Sequence, residues 1–285
     1  MKEEDKYWDV IIEADKFKPS LNLKEIWKYR DLIGILIKRD ITTVYKQTIL
    51  GPVWYVIQAL LTSVAFTLIF GNILNISSDG IPHLLFYMSG VIIWNFFATS
   101  LTRTSNIFAA NATLFDKVYF PRLCVPISSI ATNLLSLGIQ LLTFAFILAY
   151  YLIFQRTAVH VHAEYLLLIP FLLIMIVLMS LGLGTLVSSL TAKYRDLTFL
   201  VGFGLQLLIY ASPVIFPLSA VKGKLRIVLE LNPMTSVIET FKYATLGVGN
   251  VSVPQLLYSV IFSVVIFITG LFVFNYKEKS FIDTV

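Results

Sequence analysis

The chain has 285 residues, 57% of them hydrophobic and 14% charged, with 22 Lys and Arg against 17 Asp and Glu for a net charge of +5. Soluble domains carry about a quarter charged residues, so this balance excludes an ordinary soluble globular protein, and disorder needs the opposite composition. A single cysteine, Cys124, excludes an internal disulfide framework and any multi-cysteine metal site.

In chain order, Met1 to Ser20 mixes acids and bases and predicts a loosely ordered start. Asn22 then fits an N-cap, with Glu25 three residues on. Leu23, Ile26, Trp27, Ile33, Leu36 and Ile37 share one side, and Lys24, Lys28, Lys38 and Arg39 form a basic rim. The spacing predicts an amphipathic helix over about 22–37 that lies in the membrane interface against lipid headgroups.

A bilayer core takes about 20 apolar residues per helix. Six runs free of Asp, Glu, Lys and Arg qualify: 53–76, 84–101, 124–154, 165–190, 197–217 and 254–275. The first begins too far from the terminus for a cleavable signal peptide. The predicted fold is an all-α integral membrane protein: a segment 1–52 carrying the interface helix, a six-helix transmembrane domain over 53–275, and a tail over 276–285. Segments on one side of these spans hold 17 Lys and Arg, including those of the loop 103–123, and segments on the other hold 5. Both termini are therefore expected in the cytoplasm, and the surplus of +5 reads as an orientation signal rather than a nucleic-acid footprint.

The last external segment, 218–253, is too long for a turn and too mixed for a span. Val221, Leu225, Val228 and Leu229 recur at helical spacing, Asn232-Pro233 interrupts, and a second amphipathic stretch runs from Met234 to Leu246. Ser212-Pro213 and Phe216-Pro217 already break the preceding helix. This predicts two short re-entrant helices in the outer leaflet, with a surface loop carrying two interfacial helices as the alternative.

The chemistry that is missing is informative. There is no G-x-x-x-x-G-K-[ST] loop for nucleotide. No carboxylate, Lys or Arg lies inside a predicted span, so the usual proton or sodium relay has no residues to use. A membrane enzyme would have to work with the external acids Asp79, Glu164, Glu230 and Glu239. His160-x-His162 with Glu164 reads as solvated polar residues rather than a metal cluster. Asn75 and Asn250 head glycosylation sequons of a kind that arises readily by chance.

What the spans carry instead is uncharged polarity and aromatic surface. Trp54, Tyr55 and Gln58 lie in the first, and Tyr87, Trp94, Asn95, Phe96 and Phe97 in the second. Phe199, Phe203, Gln206 and Tyr210 form one helical stripe in the fifth. Aromatic faces stack on sugar rings while amides and hydroxyls meet sugar hydroxyls, so such a surface would let a glycan slide. Ordinary helix packing and interfacial aromatic belts give the same composition. Ser180, Gly184 and Ser188 make a small-residue ridge for close helix contact, within the chain or between two copies.

Several stretches in order resemble one family, the permease subunit of ATP-binding cassette (ABC) exporters of O-antigen and teichoic-acid polysaccharides. They are Thr48 to Trp54 running into Ala65 to Gly71, Asn111 to Leu114 with Lys117 to Arg122 and Pro126, Lys193 to Leu197, Ser212 to Pro217, and Leu231 to Thr235. The resemblance spans Lys46 to Gly247. It implies a homodimer bound to two ABC ATPase subunits, which carry the ATP and Mg²⁺, this chain holding no cofactor, metal or catalytic residue. The substrate would be a lipid-linked polysaccharide crossing the bacterial inner membrane. Phe115, Asp116, Lys117 and Arg122 would contact the ATPase, and Arg195 with Asp196 would line the cytoplasmic entrance. Tyr55, Gln58, Tyr87, Trp94, Phe97, Phe199, Phe203, Gln206 and Tyr210 would face the substrate channel. Pro213, Pro217, Asn232 and Pro233 would shape the outer gate. A drug or small-lipid exporter, an ion-coupled transporter and a lipid glycosyl- or acyltransferase are the competing classes.

Overall fold

In hydrocarbon a backbone has no hydrogen-bonding partner but itself, so long uncharged runs become helices. The computed structural model describes residues 23–47, 49–115, 120–155, 159–191, 194 and 196–278, and all regular structure among them is helical. Asn22, Asp116, Lys117 and Arg195 lie outside the described residues.

The single helix predicted over 22–37 is two: α1 (Leu23–Lys28), a break at Tyr29, and α2 (Arg30–Gln47), which runs on past the predicted end. Leu36 is buried against Ile107, Phe120, Cys124 and Val125, while Trp27 and Ile35 are exposed. Among the described residues, five apolar helices are long enough to cross a membrane. The first is α3 (Val53–Phe66), extended by wide π-helical turns over Thr67–Ile73. The second is α4 (His83–Ser105), followed by the short α5 (Ile107–Ala110) and α6 (Ala112–Phe115). The third is α7 (Cys124–Tyr150), which also ends in π-helical turns, over Tyr151–Gln155. A short α8 (Ala163–Leu166) leads into α9 (Ile169–Thr191), and α13 (Val253–Glu278) is the last.

The fifth predicted span differs. The run 197–217 is helical only as α10 (Leu197–Leu208), about 18 Å at 1.5 Å per residue against a hydrocarbon core of about 30 Å. Ser212 turns its hydroxyl back onto the carbonyls of Leu208 and Ile209, and Pro213 and Pro217 cannot donate to a helix. The chain instead turns through 209–216 with Val214 and Ile215 fully buried, then makes one 3₁₀ turn, Leu218–Ala220. Two more helices follow, α11 (Lys224–Leu231) and α12 (Pro233–Leu246). The amphipathic character read for Met234–Leu246 does not hold, because α12 is buried on nearly every side, against α4, α8 and α13.

Tight glycine contacts hold the centre. The Ser180–Gly184–Ser188 ridge faces α4 within the chain: a Cβ on Gly184 would collide with the Thr104 side chain, whose hydroxyl donates to Ser180 O at 3.2 Å. Gly182 on α9 and Gly270 on α13 meet backbone to backbone. Ile26, Phe108, Leu123, Leu271 and Phe274 share one cluster, so α1, the start of α7 and the end of α13 lie at one end of the bundle, here the proximal end. The turn 209–216 and α12 lie at the distal end, beside the start of α4. Gly270→Ala forces α9 and α13 apart, a mispacking of about 1–3 kcal/mol. Its thermal midpoint in detergent should fall by about 3–10 °C, whereas Gly138→Ala, with open space around its Cβ, should leave it unchanged or slightly raised.

Candidate functional site: a polar cleft and a clamped hairpin

At the proximal end an aromatic cluster gathers the segment after α4. The Phe115 ring lies 5.8 Å from Phe108 and 5.7 Å from Phe120. The Arg122 guanidinium lies over the Phe108 and Phe115 rings, at 5.8 and 5.6 Å, which suits a cation on the negative face of an aromatic ring. Phe108 also stacks on Phe274 of α13 at 5.2 Å. Phe115 and Arg122 are therefore brought together, while Asp116 and Lys117 lie outside the described residues. Asp196 is exposed at the head of α10, its carbonyl accepting from Phe199 N–H at 3.0 Å.

Above this cluster α3, α4 and α7 enclose a cleft of about 390 Å³. Trp54, Tyr55 and Gln58 come from α3, and Asn95, Thr99 and Arg103 from α4. Asn133, Ser136 and Gln140 come from α7. The Asn133 side-chain amide donates to Phe96 O at 3.1 Å and to Ser100 Oγ at 2.7 Å, fixing the α4–α7 wall. Of the nine predicted channel residues, the cleft takes Tyr55 and Gln58. Tyr87, Trp94 and Phe97 are turned into the helix packing instead. Tyr87 is enclosed by Phe66, Phe70, His83 and Phe86, and Trp94 lies 5.7 Å from the Phe97 ring. Their aromatic surface is satisfied by neighbouring side chains, which is why they are buried. Phe199, Phe203 and Gln206 stand exposed on α10 and Tyr210 in the turn after it, and α10 touches the bundle through Leu205.

The distal residues converge. Asn232 caps α12, its Oδ1 accepting from Met234 N–H at 3.0 Å, and its Nδ2 donates to Ala211 O at 2.9 Å, tying α12 to the turn after α10. Pro233 takes the first helical position, where no N–H is needed. Pro213 and Pro217 are buried, and the Pro213 carbonyl accepts from Lys242 Nζ at 2.5 Å. Lys242 is fully buried, with its ammonium 3.4 Å from the centre of the Phe86 ring. Burial pulls the Lys242 pKa down and pushes that of Glu239 up, each shift partly offset by the other's charge. Glu239 Oε2 accepts from Asn250 N–H at 3.1 Å, and Asp79 accepts from the Ser219 hydroxyl at 2.8 Å. His162 of the polar His160–Glu164 segment stacks on Tyr243 at 4.5 Å.

Two features escaped the sequence reading. Asn133, Ser136 and Gln140, three and four apart, are a polar helical stripe in an otherwise apolar run, a signal as regular as the aromatic one on α10. Lys242 was counted with the external basic residues, although it and Glu239 are the only charges in α12.

Asn232→Ala removes both the cap and the tie to Ala211, a loss of about 2 kcal/mol in hairpin anchoring. Trypsin should then cut at the exposed Lys222, Lys224 and Arg226 faster than in the parent chain. Asn232→Asp keeps the acceptor at the helix N-terminus but loses the donor, so its cleavage rate should fall between the two.

These features define a multi-pass membrane protein with a polar cleft at one end and a buried hairpin at the other. The chain belongs to the ABC-2 type transporter family, whose family model matches residues 31–246. It is 27% identical over 255 residues to an O-antigen export system permease protein RfbA from Klebsiella pneumoniae, covering 89% of this chain and 94% of the relative. A protein of the same name from Myxococcus xanthus is 27% identical over 224 residues, covering 77% of this chain and 82% of its own length.

Proposed function

We propose that the chain is the permease subunit of an ABC transporter that moves a lipid-linked, O-antigen-like polysaccharide across the bacterial inner membrane. The observation that carries this reading is the alignment with an O-antigen export permease over nearly the whole length of both chains. In this reading two copies associate with two ATPase subunits, which bind the ATP and Mg²⁺, and this chain supplies the path without an ATPase site of its own. The proximal end faces the cytoplasm, where α1 and α2 lie along the membrane surface. α5, α6 and the residues through Lys117 form the coupling segment, with Phe115, Asp116, Lys117 and Arg122 meeting the ATPase. Arg195 and Asp196 line the entrance.

The glycan path begins at Tyr55 and Gln58 in the cleft and continues along the α10 face of Phe199, Phe203, Gln206 and Tyr210. Tyr87, Trp94 and Phe97 support its wall from behind. α10 and the buried turn 209–216 together make the fifth crossing, in two pieces. α11 and α12 re-enter from the outer side as the gate, with Pro213, Pro217, Asn232 and Pro233 setting its hinge points. The loosely packed α3 and α10 are the elements best placed to move when the ATPases close, since packed interfaces switch between discrete arrangements.

Removing the chain from a cell that makes such a glycan should leave the polymer on its lipid carrier inside the inner membrane, and restoring it should return the polymer to the surface. Surface glycan at parental level without the chain contradicts the reading. Phe115→Ala with Arg122→Ala breaks the proximal aromatic cluster and should uncouple the partners. Export should fall at least about tenfold while the ATPase still hydrolyses ATP, corresponding to about 1.4 kcal/mol of lost coupling.

A further inference from the structure

A carboxylate taken out of water needs partners for both of its oxygens, because a buried charge without them is costly. Glu239 on α12 departs from that rule. The residue is 2% exposed, Oε2 accepts from Asn250 N–H at 3.1 Å, and the Leu218 amide also favours the charged form. Oε1 is enclosed and has no hydrogen-bond partner among the described residues.

Glu239 lines a distal cavity of about 260 Å³ together with Asp79, Ser219, Arg226, Gly249 and Asn250. These come from the loop between α3 and α4, the 3₁₀ turn, α11 and the segment after α12. The carboxyl lies at this wall: a Cβ on Gly249 would stand 3.2 Å from Oε2, so a side chain there would crowd it. Asp79, Ser219 and Asn250 are exposed, which opens the cavity to solvent.

The charges around the cavity do not balance. Asp79 and Glu239 bring two negative charges, and neither forms an ion pair with any described residue. Arg226 is taken by Glu230 at 2.8 Å. Lys242 brings one positive charge that acts on both acids, but its ammonium is directed to the Pro213 carbonyl and the Phe86 face. One negative charge is left over, beside an enclosed oxygen that has no donor. The Ser219 hydroxyl and the Asn250 side-chain amide add neutral oxygens to the lining.

Carboxylates and neutral oxygens, without Cys or His, are the donor set of a hard divalent cation. Ca²⁺ suits donors from several separate segments, because it accepts irregular shells, whereas Mg²⁺ demands a near-ideal octahedron. Among the described residues no three His, Cys, Asp or Glu side chains gather. Two carboxylates therefore fit weak binding, at about 0.1–1 mM, with water completing the shell.

We infer that this distal cavity binds Ca²⁺ through Asp79 and Glu239, with neutral oxygens from Ser219 and Asn250, and that the ion fastens the α3–α4 loop to the α11–α12 hairpin. The family resemblance implied a chain without metal, so the site adds to what it implies. The export reading enters only in placing the cavity outside the cytoplasm. Ion binding by the purified chain does not depend on it, so failure of either leaves the other standing.

The test uses the full chain in detergent, freed of metal with EDTA and dialysed against isotope-labelled calcium. The parent should bind about one ion per chain with a Kd of about 0.1–1 mM. Addition of about 10 mM CaCl₂ should raise its thermal midpoint by about 3–6 °C above NaCl of equal ionic strength, and MgCl₂ should do less. Asp79→Asn, at an exposed position that leaves the fold intact, should weaken binding by at least about tenfold, since affinity follows the ligand charge count. Glu239→Gln should abolish saturable binding, with its midpoint in EDTA showing that it is folded. Glu164→Gln, an external acid outside the cavity, should bind like the parent. No saturable calcium binding by the parent overturns the proposal, as does parental affinity in Asp79→Asn or a midpoint rise that NaCl reproduces. So does a midpoint that follows pH in EDTA but ignores Ca²⁺, because a proton then neutralises the excess charge.

Discussion

The arrangement of the distal end depends on one enclosed cation. Lys242 is buried in α12, so its ammonium has left water, and an ion that does so loses several kcal/mol of solvation. Among the described residues that loss is offset by the Pro213 carbonyl, the face of Phe86 and the nearby charges of Glu239 and Asp79. The three groups nearest the ammonium belong to α12, α4 and the turn after α10, so the lysine joins segments far apart in sequence. Displacing any one of them strips the cation of compensation. The Asn232 tie to Ala211 and the bond between the Ser236 and Ser259 hydroxyls brace the same hairpin against α10 and α13. The hairpin is thereby held against the rest of the bundle at the distal end.

Around this clamp the helices divide by how much of their surface they bury. α4 buries 78% of its apolar window and α3 only 11%. α4, α9 and α13 are locked by glycine contacts and by hydroxyls that bond across helices, such as Thr104 to Ser180 O and Thr191 to Ser105 O. α3 and α10 lean on this centre and leave Trp54, Leu61, Phe199 and Phe203 exposed. A rigid centre with loosely held edges suits a permease, because a polymer needs walls that part without unfolding the protein. The proximal aromatic cluster links the α5–α6 segment to Phe274 of α13, and so to the rigid part of the bundle.

Much of this was legible in the sequence, and the limits have physical causes. Charge-free runs located the five long helices because hydrocarbon leaves the backbone no alternative. The fifth, 197–217, failed as a single span because apolarity measures depth and not helicity, and Pro213 with Pro217 ended the helix inside an apolar run. Tyr87, Trp94 and Phe97 illustrate the ambiguity of aromatic residues: the same ring that could meet a sugar can fill a gap between helices, and composition does not separate the two. The burial of Lys242 was not legible because a lone lysine in a short helix looks like a surface residue until its helix is found to be enclosed. The α7 stripe of Asn133, Ser136 and Gln140 was within reach of periodicity, being as regular as the stripe of Phe199, Phe203, Gln206 and Tyr210.

The central claim is that the glycan passes along this chain, from the α3–α4–α7 cleft to the exposed face of α10. The most direct measurement places a photo-crosslinking amino acid at position 55, at position 203 and, as a lipid-facing control, at position 142, in cells actively exporting glycan with the partner ATPase present. Illumination should yield glycan adducts at 55 and 203 and none at 142. Export that continues with no adduct at either path position, or with equal adducts at all three, contradicts the account.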